Sequence, residues 1–417
     1  MSRLLLLPAA LLALAFPLAV AASSSADRGV TRSSVLFGGT VPLTGEASTG
    51  GLTAKGAAAY FSYVDAHGGV AKRKIHYKYL DDAYDPAQTI QDTRQLVQQD
   101  HVFAIFNPLG TAQNITTRPF LNAMRVPQLF VSSGWGGWAR EAKRYPWTIG
   151  FIPTYTGEGI VYGRYIKKHL RKAKVAVLYQ DDEYGRELLA GLKRGLGKKK
   201  GRIVAQQGYD PAAAEVKSQV AALKASGANT LMIFAFGKFA VQAFVLVKTL
   251  GWKPHVYVNA VAAATSVMQL ASSSGQTQGA ISIGFYKDPA DPRWNKDRGM
   301  KLYKKIVSKY VGGGKPGPAS RCKRTIPPAW CSGYYLAGMA PAYALVQALK
   351  KAGRKLTRAS MMKAVLHLKI KKDPFVLPGI RIKTSPKDRW PIEQAQLQRW
   401  KGSRWKPIGK LVKTPRR

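Results

Sequence analysis

The chain has 417 residues, and its 65 Lys and Arg against 22 Asp and Glu leave a formal net charge of +43. At roughly 150 residues per domain this length predicts two or three folded units. The hydrophobic content of 46% with 21% charged residues excludes a wholly disordered chain, and the 40 Gly follow no three-residue repeat, which excludes collagen. An isoelectric point near 10.3 is typical of proteins that meet nucleic acid or an anionic surface, but charge by itself does not indicate a fold.

The N-terminal segment predicts export. After one basic residue the stretch from Leu4 to Val20 is apolar, and Ala19-Val20-Ala21 has the small residues that signal peptidase accepts. We therefore expect a secretory signal peptide over residues 1–21 and a polar linker over 22–33. The alternative is an uncleaved membrane anchor. Two prolines within the stretch, and a length at the short end of the ~17–25 residues that a span needs, argue against it.

From residue 34 onward strands and helices alternate. The first half predicts strands at 34–40, 74–80, 101–106 and 127–131 and helices at 50–67, 86–100 and 113–124. Asp85 and Pro86 are the residue types favoured at the start of a helix. Strands that alternate with helices of this length form βαβ units and a parallel sheet.

The same alternation begins again after residue 173. The sequence predicts strands at 174–180, 202–209, 230–236, 255–259 and 280–285 and helices at 183–195, 211–226 and 239–250. The remainder predicts helices at 294–310, 333–351 and 357–366 and a short hairpin near the end.

Two successive α/β halves predict two Rossmann-like lobes with parallel sheets, joined by a hinge of several crossings. We place crossings at 147–153, 284–292 and 376–382. Lobe 1 is then expected to comprise 34–148 plus 286–378, lobe 2 to comprise 149–285 plus 379–410, and a basic tail to occupy 411–417. No repeat of 20–50 residues is visible, which argues against a solenoid.

Two cysteines, Cys322 and Cys331, lie nine positions apart on either side of Pro327-Pro328. In an exported protein the default expectation is a local disulfide that closes this loop. The alternative is a pair of free thiols.

Motifs of catalysis are missing from the sequence. It contains no G-x-S-x-G, H-E-x-x-H, Walker or G-x-G-x-x-G motif, and its six histidines have no metal-ligand spacing. Acidic pairs at Asp81-Asp82 and Asp181-Asp182 could form an acid/base dyad, but turns and helix caps are the commoner use of such residues. We therefore expect no enzyme, no metal and no cofactor.

Loops at the carboxyl ends of the predicted strands are the candidate ligand site, because open α/β sheets bind ligands there. These loops are rich in hydroxyl groups and glycine, and they are found at 42–49, 107–111, 132–138, 181–185, 235–237 and 259–261. Aromatic residues in or near them could wall an apolar pocket; they are Trp135, Trp138, Tyr155, Tyr184 and Phe236. The alternative for each ring is ordinary packing in a core or between the lobes.

Three runs of this sequence carry a family resemblance: HGGVAKRKIHYKYLDDAYDPAQT, VQQDHVFAIFNPLGTAQN and VAVLYQDDEYGRELLAGLKRGL. They resemble the periplasmic branched-chain amino-acid-binding protein family, the type I solute receptors of ABC transporters, and the likeness extends from about residue 34 to 409. The resemblance implies two lobes with three crossings that close on a small solute. It also implies delivery of that solute to a membrane permease.

Residue by residue, the resemblance assigns an anion-holding role to the loops after the third and fourth strands and an aromatic contact to the second lobe; the matching residues are Leu109, Gly110, Thr111, Ser132, Ser133, Gly134 and Tyr184. The sequence departs from the family where amino-acid receptors hold an ammonium group. Asn259-Ala260-Val261 stands where an acidic residue is expected, and Phe236-Gly237 replaces a more polar pair. An unpaired buried ammonium would cost several kcal/mol, so the sequence favours an anionic or neutral ligand such as an aromatic carboxylate or an amide.

Basic stretches could point to a different partner. Residues 399–417 hold eight Lys or Arg and no acid, with Trp400 and Trp405 among them, as a nucleic-acid-binding arm would. The alternation over 396–405 favours instead a closing strand pair with the tryptophan rings packed beneath it. The clusters at 167–174 and 198–202 are interpreted as solvated faces.

The sequence therefore predicts an exported, monomeric solute-binding protein whose partners are a small organic molecule and the permease of an ABC transporter. The ligand is expected to be branched-chain amino-acid-like or, as the favoured option, an anionic or aromatic carboxylate or an amide. No specific nucleic acid is expected. The alternative is a secreted basic protein that binds nucleic acid or an anionic envelope polymer, whose affinity would fall steeply with salt, by a slope of about −0.9 per phosphate contact.

Overall fold

The computed structural model describes residues 27–312, 314–323 and 327–416. The predicted signal peptide and the start of the predicted linker lie outside the described residues. The part of that linker at 27–33 is not free, because Val30 pairs with Val35 and the Gly29 carbonyl accepts a hydrogen bond of 2.8 Å from the Leu36 amide. Within the described ranges, no helix combines the length and the apolar character that a bilayer span requires.

Two sheets organise the molecule. Lobe 1 has a five-stranded sheet in the order β2-β1-β3-β4-β5, and all its neighbours are parallel. Lobe 2 has a seven-stranded sheet in the order β14-β13-β10-β9-β8-β6-β7, in which β13 is antiparallel to both its neighbours. The strands are β1 (Ser34–Val41), β2 (Lys74–Asp81), β3 (Ala104–Phe106), β4 (Gln128–Val131), β5 (Thr148–Gly150), β6 (Val175–Gln180), β7 (Ile203–Tyr209), β8 (Thr230–Phe234), β9 (His255–Val258), β10 (Ile281–Gly284), the small pair β11 (Lys369–Ile370) and β12 (Ile382–Lys383), β13 (Gln394–Lys401) and β14 (Arg404–Lys413).

Helices connect the parallel strands and cover both sheets. They are α1 (Leu52–Asp65), α2 (Pro86–Arg94), α3 (Ala112–Ala123), α4 (Gly137–Arg140), α5 (Tyr155–His169), α6 (Glu183–Leu196), α7 (Lys217–Ala225), α8 (Lys238–Thr249), α9 (Thr265–Ser274), α10 (Arg298–Tyr310), α11 (Gly333–Ala352) and α12 (Arg358–Val365). The fold class predicted from the sequence, two α/β lobes with mainly parallel sheets, is confirmed.

Glycines let α1 and α11 pack at very short range in lobe 1. A Cβ atom on Gly56 would lie 2.0 Å from the Tyr335 carbonyl oxygen, and one on Gly338 would lie 1.8 Å from the Thr53 carbonyl oxygen. These contacts attach the C-terminal helices to the first half of the chain. Distant segments therefore share one core.

Several predicted elements need correction. Helices α5 and α9 were not predicted: α5 is buried over most of its surface and shows no polar stripe, and α9 is rich in serine. Strand β5 lies inside the segment 147–153 that was assigned to a crossing, and three residues are too few to show a period. The helix predicted to start at 211 begins at Lys217, because Asp210 caps a turn through the Ala212 amide.

The C-terminal residues form part of lobe 2. The hairpin interpretation of 396–405 is confirmed, since Trp400 and Trp405 are buried with ring centroids 5.3 Å apart. The separate basic tail predicted at 411–417 is wrong for the described residues, because β14 extends to residue 413. Arg416 then pairs with Asp388 at 2.6 Å and covers the Trp390 ring.

A disulfide closes the loop before α11. Cys322 and Cys331 are bonded with Cα atoms 5.5 Å apart, and both side chains are buried. The bond holds this loop against lobe 1, where Tyr303 donates a 2.6 Å hydrogen bond to the Ser332 carbonyl.

Candidate functional site

One cavity lies where the carboxyl ends of both sheets meet. Its volume is about 150 Å³, on the order of a cavity that holds one benzene-sized molecule. Both lobes and the segments between them contribute side chains, most of them apolar or aromatic. This position agrees with the general rule for open α/β sheets.

Seven of the twelve predicted ligand residues line this cavity: Leu109, Gly110, Thr111, Ser132, Tyr155, Tyr184 and Phe236. The other five do not; they are Ser133, Gly134, Trp135, Gly237 and Asn259. The loops were therefore placed correctly by the strand-end rule, whereas adjacent positions within a loop point in different directions.

The lobe 1 side of the cavity ends in hydroxyl groups at the start of α3. Thr111 precedes this helix, and its hydroxyl lies 2.7 Å from the Ser133 hydroxyl. Gly110 has φ +107, and a Cβ atom there would lie 2.2 Å from the Gln113 side-chain oxygen, so the loop requires glycine. Free amide groups at a helix start favour an anion, which makes this end suited to a carboxylate.

Aromatic rings form the walls. Tyr155 and Tyr184 meet edge to face with centroids 4.9 Å apart, and Tyr84 of lobe 1 lies 5.9 Å from Phe236 of lobe 2. Burial raises the pKa of Tyr84, Tyr155 and Tyr184, which keeps their hydroxyls protonated. The Tyr184 hydroxyl is buried without a hydrogen-bond partner among the described residues, and its side chain lines the cavity.

Of the predicted residues that do not line the cavity, Ser133 and Gly134 bond to residues that do, whereas Trp135 and Asn259 contact other neighbours. The Gly134 carbonyl accepts a 2.8 Å hydrogen bond from the Tyr155 amide, and the Ser133 hydroxyl accepts one from the Trp135 amide. Trp135 itself faces Arg118, whose guanidinium lies 4.9 Å from its ring centroid. Asn259 is fully buried and accepts a hydrogen bond from the Ala235 amide at 3.2 Å.

Two charged side chains line the cavity, Lys287 and Asp288, both just after β10. The Lys287 ammonium already donates to Asp297 and to the Pro374 carbonyl, each at 2.9 Å. Asp288 accepts hydrogen bonds from the Thr265 hydroxyl and from the Ala290 amide, but it forms no salt bridge within the described part of the chain. Burial raises the pKa of Asp288 to about 6.

A second carboxyl group supports the cavity from behind. Glu158 is buried in the first turn of α5 and accepts hydrogen bonds from the Tyr162 hydroxyl at 2.7 Å and from the Ala260 amide at 2.6 Å. Burial raises its pKa to about 7. Because Ala260 lines the cavity, Glu158 fixes the loop that follows β9.

The lobes also touch at the rim. Lys238 of lobe 2 forms a 2.9 Å salt bridge with Glu46 of lobe 1, and Gln180 donates to the Tyr84 hydroxyl at 3.4 Å. Gly237, with φ +58, lies so close to the Glu46 carbonyl oxygen that a Cβ atom would be 2.5 Å from it. These contacts bring the rims of the two lobes together.

Within the described residues no group of three or more His, Cys, Asp or Glu side chains could hold a metal ion. The polar groups of the cavity are hydroxyls, amides, the Lys287 ammonium that pairs with Asp297, and the Asp288 carboxyl group, which forms no salt bridge with a described residue. Such a set can bind and orient a small molecule.

A model of the family described as periplasmic binding protein matches residues 34–404. The chain belongs to this family. Its members are extracytoplasmic solute-binding receptors and not enzymes.

Curated relatives of the receptor are similar at low identity. A Pseudomonas aeruginosa protein named "Amino acid binding protein" is 27% identical over 224 residues, which cover 51% of this chain and 56% of that protein. A Brucella abortus protein named "Leu/Ile/Val-binding protein homolog 1" is 25% identical over 63% of this chain and 70% of its own length. The chain thus spans little more than half of the Pseudomonas relative.

Solved structures have the same fold. A branched-chain amino acid ABC transporter protein from Thermus thermophilus with bound valine has a TM-score of 0.77 at 17% identity, and the match covers 93% of this chain and 98% of that one. A fatty acid ABC transporter substrate-binding protein from Thermomonospora curvata has a TM-score of 0.74 at 17% identity, covering 94% and 95%. Proteins named for valine and for fatty acid share this fold, so the fold by itself does not determine which ligand is bound.

Among the lining residues that sequence reasoning missed are Tyr84, Asp288 and Tyr334. Tyr84 and Asp288 closely follow β2 and β10, so the strand-end rule could have found them. Tyr334 lies on α11 and donates to the Val261 carbonyl at 3.2 Å, a contact across the cavity that no local pattern reveals.

Proposed function

We propose that this receptor binds a small amino acid with an apolar side chain between its lobes and delivers it to the permease of an ABC transporter. The observation that carries the proposal is Asp288, a carboxyl group that lines the cavity and forms no salt bridge with any residue that the structure describes. In a chain with 65 Lys and Arg, such a carboxylate in the cavity is unusual. An ammonium group on the ligand would compensate it.

The remaining parts of the cavity suit the rest of an amino acid. Thr111 and Ser132 with the start of α3 offer hydroxyl and amide donors to a carboxylate. Tyr84, Tyr184 and Phe236 offer ring faces and edges to an apolar side chain. The volume of about 150 Å³ limits the ligand to a small molecule.

This proposal replaces the anionic or neutral ligand that the sequence favoured. That hypothesis depended on the missing acid after β9, where Asn259-Ala260-Val261 stands. Asp288 approaches from the neighbouring strand β10, and its pKa of about 6 leaves it mostly ionised at pH 7. The relatives named for leucine, isoleucine and valine support the same class of ligand.

The family and the first residues of the chain support export and delivery to a permease as parts of this proposal. The apolar stretch over 4–20 supports cleavage near residue 21 and transfer out of the cytoplasm. A receptor that binds without chemistry needs a membrane partner to take up its ligand.

The test is a binding screen by thermal shift and calorimetry with leucine, valine and phenylalanine. Their deaminated counterparts, 4-methylpentanoate, 3-methylbutanoate and 3-phenylpropanoate, are the matched ligands. A cognate ligand at about 1,000 times its Kd stabilises the protein by about 4 kcal/mol. We expect an amino acid to bind and its deaminated counterpart to bind far more weakly.

The variant Asp288→Asn should weaken amino-acid binding by about a hundredfold or more, since it breaks a buried charge pair. The control is Asp291→Asn, a buried aspartate that pairs with Arg293 at 2.5 Å and does not line the cavity; it should leave the affinity unchanged. If the deaminated acids bind as tightly as the amino acids and Asp288→Asn leaves the affinity unchanged, the hypothesis of an anionic ligand would be favoured again. A screen in which none of the six compounds binds would refute the proposed class of ligand.

A further inference from the structure

The amino-terminal edge of the lobe 2 sheet has an unusual charge pattern. Helices α5 to α8 end at this edge, and strands β6 to β9 begin there; because β13 is antiparallel to β10, the turn of the β13–β14 hairpin also lies there. We name this edge the basal face and define it by the segments 164–174, 193–202, 218–229, 248–255 and 399–406. These segments contain nineteen Lys or Arg and no Asp or Glu.

The structure joins segments that the sequence left separate. Arg202 donates to the carbonyls of Leu170 and Arg171, at 2.9 and 2.5 Å. Asn229 accepts a 2.9 Å hydrogen bond from the Lys174 amide and donates to the Lys172 carbonyl at 3.0 Å. The two basic clusters that were interpreted as solvated faces therefore form one continuous surface.

Most of these cations are free to meet a partner. Lys167, Lys168, Lys172, Lys198 and Lys199 are exposed, and none forms a salt bridge within the described ranges. Cations at helix ends do interact favourably with the helix dipole. That interaction explains one or two cations per helix end but not a whole face without an acid.

The corresponding edge of lobe 1 argues against a uniform bias of composition. There Asp65 accepts a 3.0 Å hydrogen bond from the Ile75 amide at the start of β2. Asp100, just before β3, pairs with Lys78 at 2.7 Å, and Asp27 accepts from the Arg358 amide. The amino-terminal edge of the lobe 1 sheet thus carries both acidic and basic side chains. The excess of cations without acids is therefore specific to lobe 2.

The chemistry of the face favours a partner recognised mainly by charge. Its three tryptophans, Trp252, Trp400 and Trp405, are all buried and offer no rings on which bases could stack. Closely spaced cations concentrate a positive potential that attracts a chain of anions. The cavity lies at the carboxyl ends of the strands, so a partner on the basal face leaves it accessible.

We propose that the basal face of lobe 2 binds a linear polyanion whose repeating phosphate groups neutralise these cations. Such a contact retains the receptor on an anionic polymer while both lobes remain free to take up solute. It is independent of which solute the cavity binds.

The test measures binding of linear inorganic polyphosphate to the mature chain at several salt concentrations. The variant combines Lys167→Gln, Lys168→Gln, Lys198→Gln and Lys199→Gln on the basal face. The matched control combines four exposed lysines of lobe 1 and changes the net charge equally: Lys55→Gln, Lys143→Gln, Lys350→Gln and Lys363→Gln. Unchanged thermal midpoints show that both variants fold.

We expect the basal variant to reduce the slope of log K against log salt by about 3, at about 0.7 per lost contact, and to weaken binding by about tenfold or more. The control should keep the slope of the parent. Equal loss in both variants would mean that net charge alone drives binding, and it would overturn the proposal. So would no binding to polyphosphate, or binding only to vesicles of equal parts phosphatidylglycerol and phosphatidylcholine, which would indicate a membrane surface.

Discussion

The hydroxyl of Tyr184 permits a sharp test of the cavity. Tyr184→Phe removes one oxygen that is buried and has no hydrogen-bond partner among the described residues, and it keeps the ring that packs on Tyr155 at 4.9 Å. A buried polar group without a partner costs about 1–3 kcal/mol. The ligand-free variant should therefore be more stable than the parent by about 1 kcal/mol or more.

The same change should weaken ligand binding, because we expect the Tyr184 hydroxyl to form a hydrogen bond with the ligand while its ring contacts the apolar side chain. A net hydrogen bond contributes about 0.5–1.5 kcal/mol, so the loss of affinity should be about two- to tenfold. Urea unfolding without ligand measures the first effect, and calorimetry with the ligand found in the screen measures the second. We expect the free energy of unfolding of the ligand-free protein to rise and the affinity for the ligand to fall.

Tyr209→Phe is the matched control. Tyr209 is equally buried, but its hydroxyl donates to the Gln180 side chain and accepts from the Phe236 amide, both at 3.2 Å. Its removal leaves two buried groups without partners and should destabilise the protein by about 1–3 kcal/mol. If Tyr184→Phe destabilises the ligand-free protein as much as Tyr209→Phe does, or leaves the affinity unchanged, the assignment of Tyr184 to the ligand is refuted.

Three further predictions concern stability and closure. Burial raises the pKa of Glu158 from 4.5 to about 7, so the folded chain binds this proton more tightly than the unfolded chain does. The free energy of unfolding should therefore fall by about 3 kcal/mol as pH rises from 4.5 through 7. Glu158→Gln should flatten that part of the stability profile measured with urea, and an unchanged profile would contradict the raised pKa of Glu158. Gly237→Ala should weaken ligand affinity by about tenfold or more, because its Cβ meets the Glu46 carbonyl and φ is +58; a normal Kd would show that this contact is not needed for closure. Replacing Cys322 and Cys331 with serine should lower the free energy of unfolding by about 3 kcal/mol for so short a loop, and an unaltered urea midpoint would refute this value.

The fold was largely predictable because its signals are local. Strand β6 is almost continuously apolar, as expected for a strand buried on both faces, and Asp85 caps α2 through the Ala87 amide as its sequence position predicted. Helix α5 was not predicted because it is buried on nearly every side, so its apolar residues show no helical period. Burial on all sides removes the pattern on which sequence reading depends.

The candidate site divides in the same way. The positions of the strand ends predicted which loops face the cavity, so the sequence correctly predicted Thr111, Ser132 and Tyr184 as lining residues. Whether a residue in such a loop faces the cavity depends on its backbone angles and on its neighbours from other segments. Ser133 and Gly134 therefore turned out to support Thr111 and Tyr155 instead of lining the cavity.

The sequence by itself determined the class of this protein: its alternating elements, its strand-end loops and the motif runs indicated a two-lobed solute receptor. The tertiary structure decided the chemistry of the cavity, because Asp288 and Tyr334 meet Thr111 only after three distant parts of the chain have folded together. It also decided what the net charge of +43 means, since only the parallel sheet brings the basic helix ends of lobe 2 to one face. Charge and polarity act through distances in space, and these distances are set by packing between segments that are far apart in the sequence.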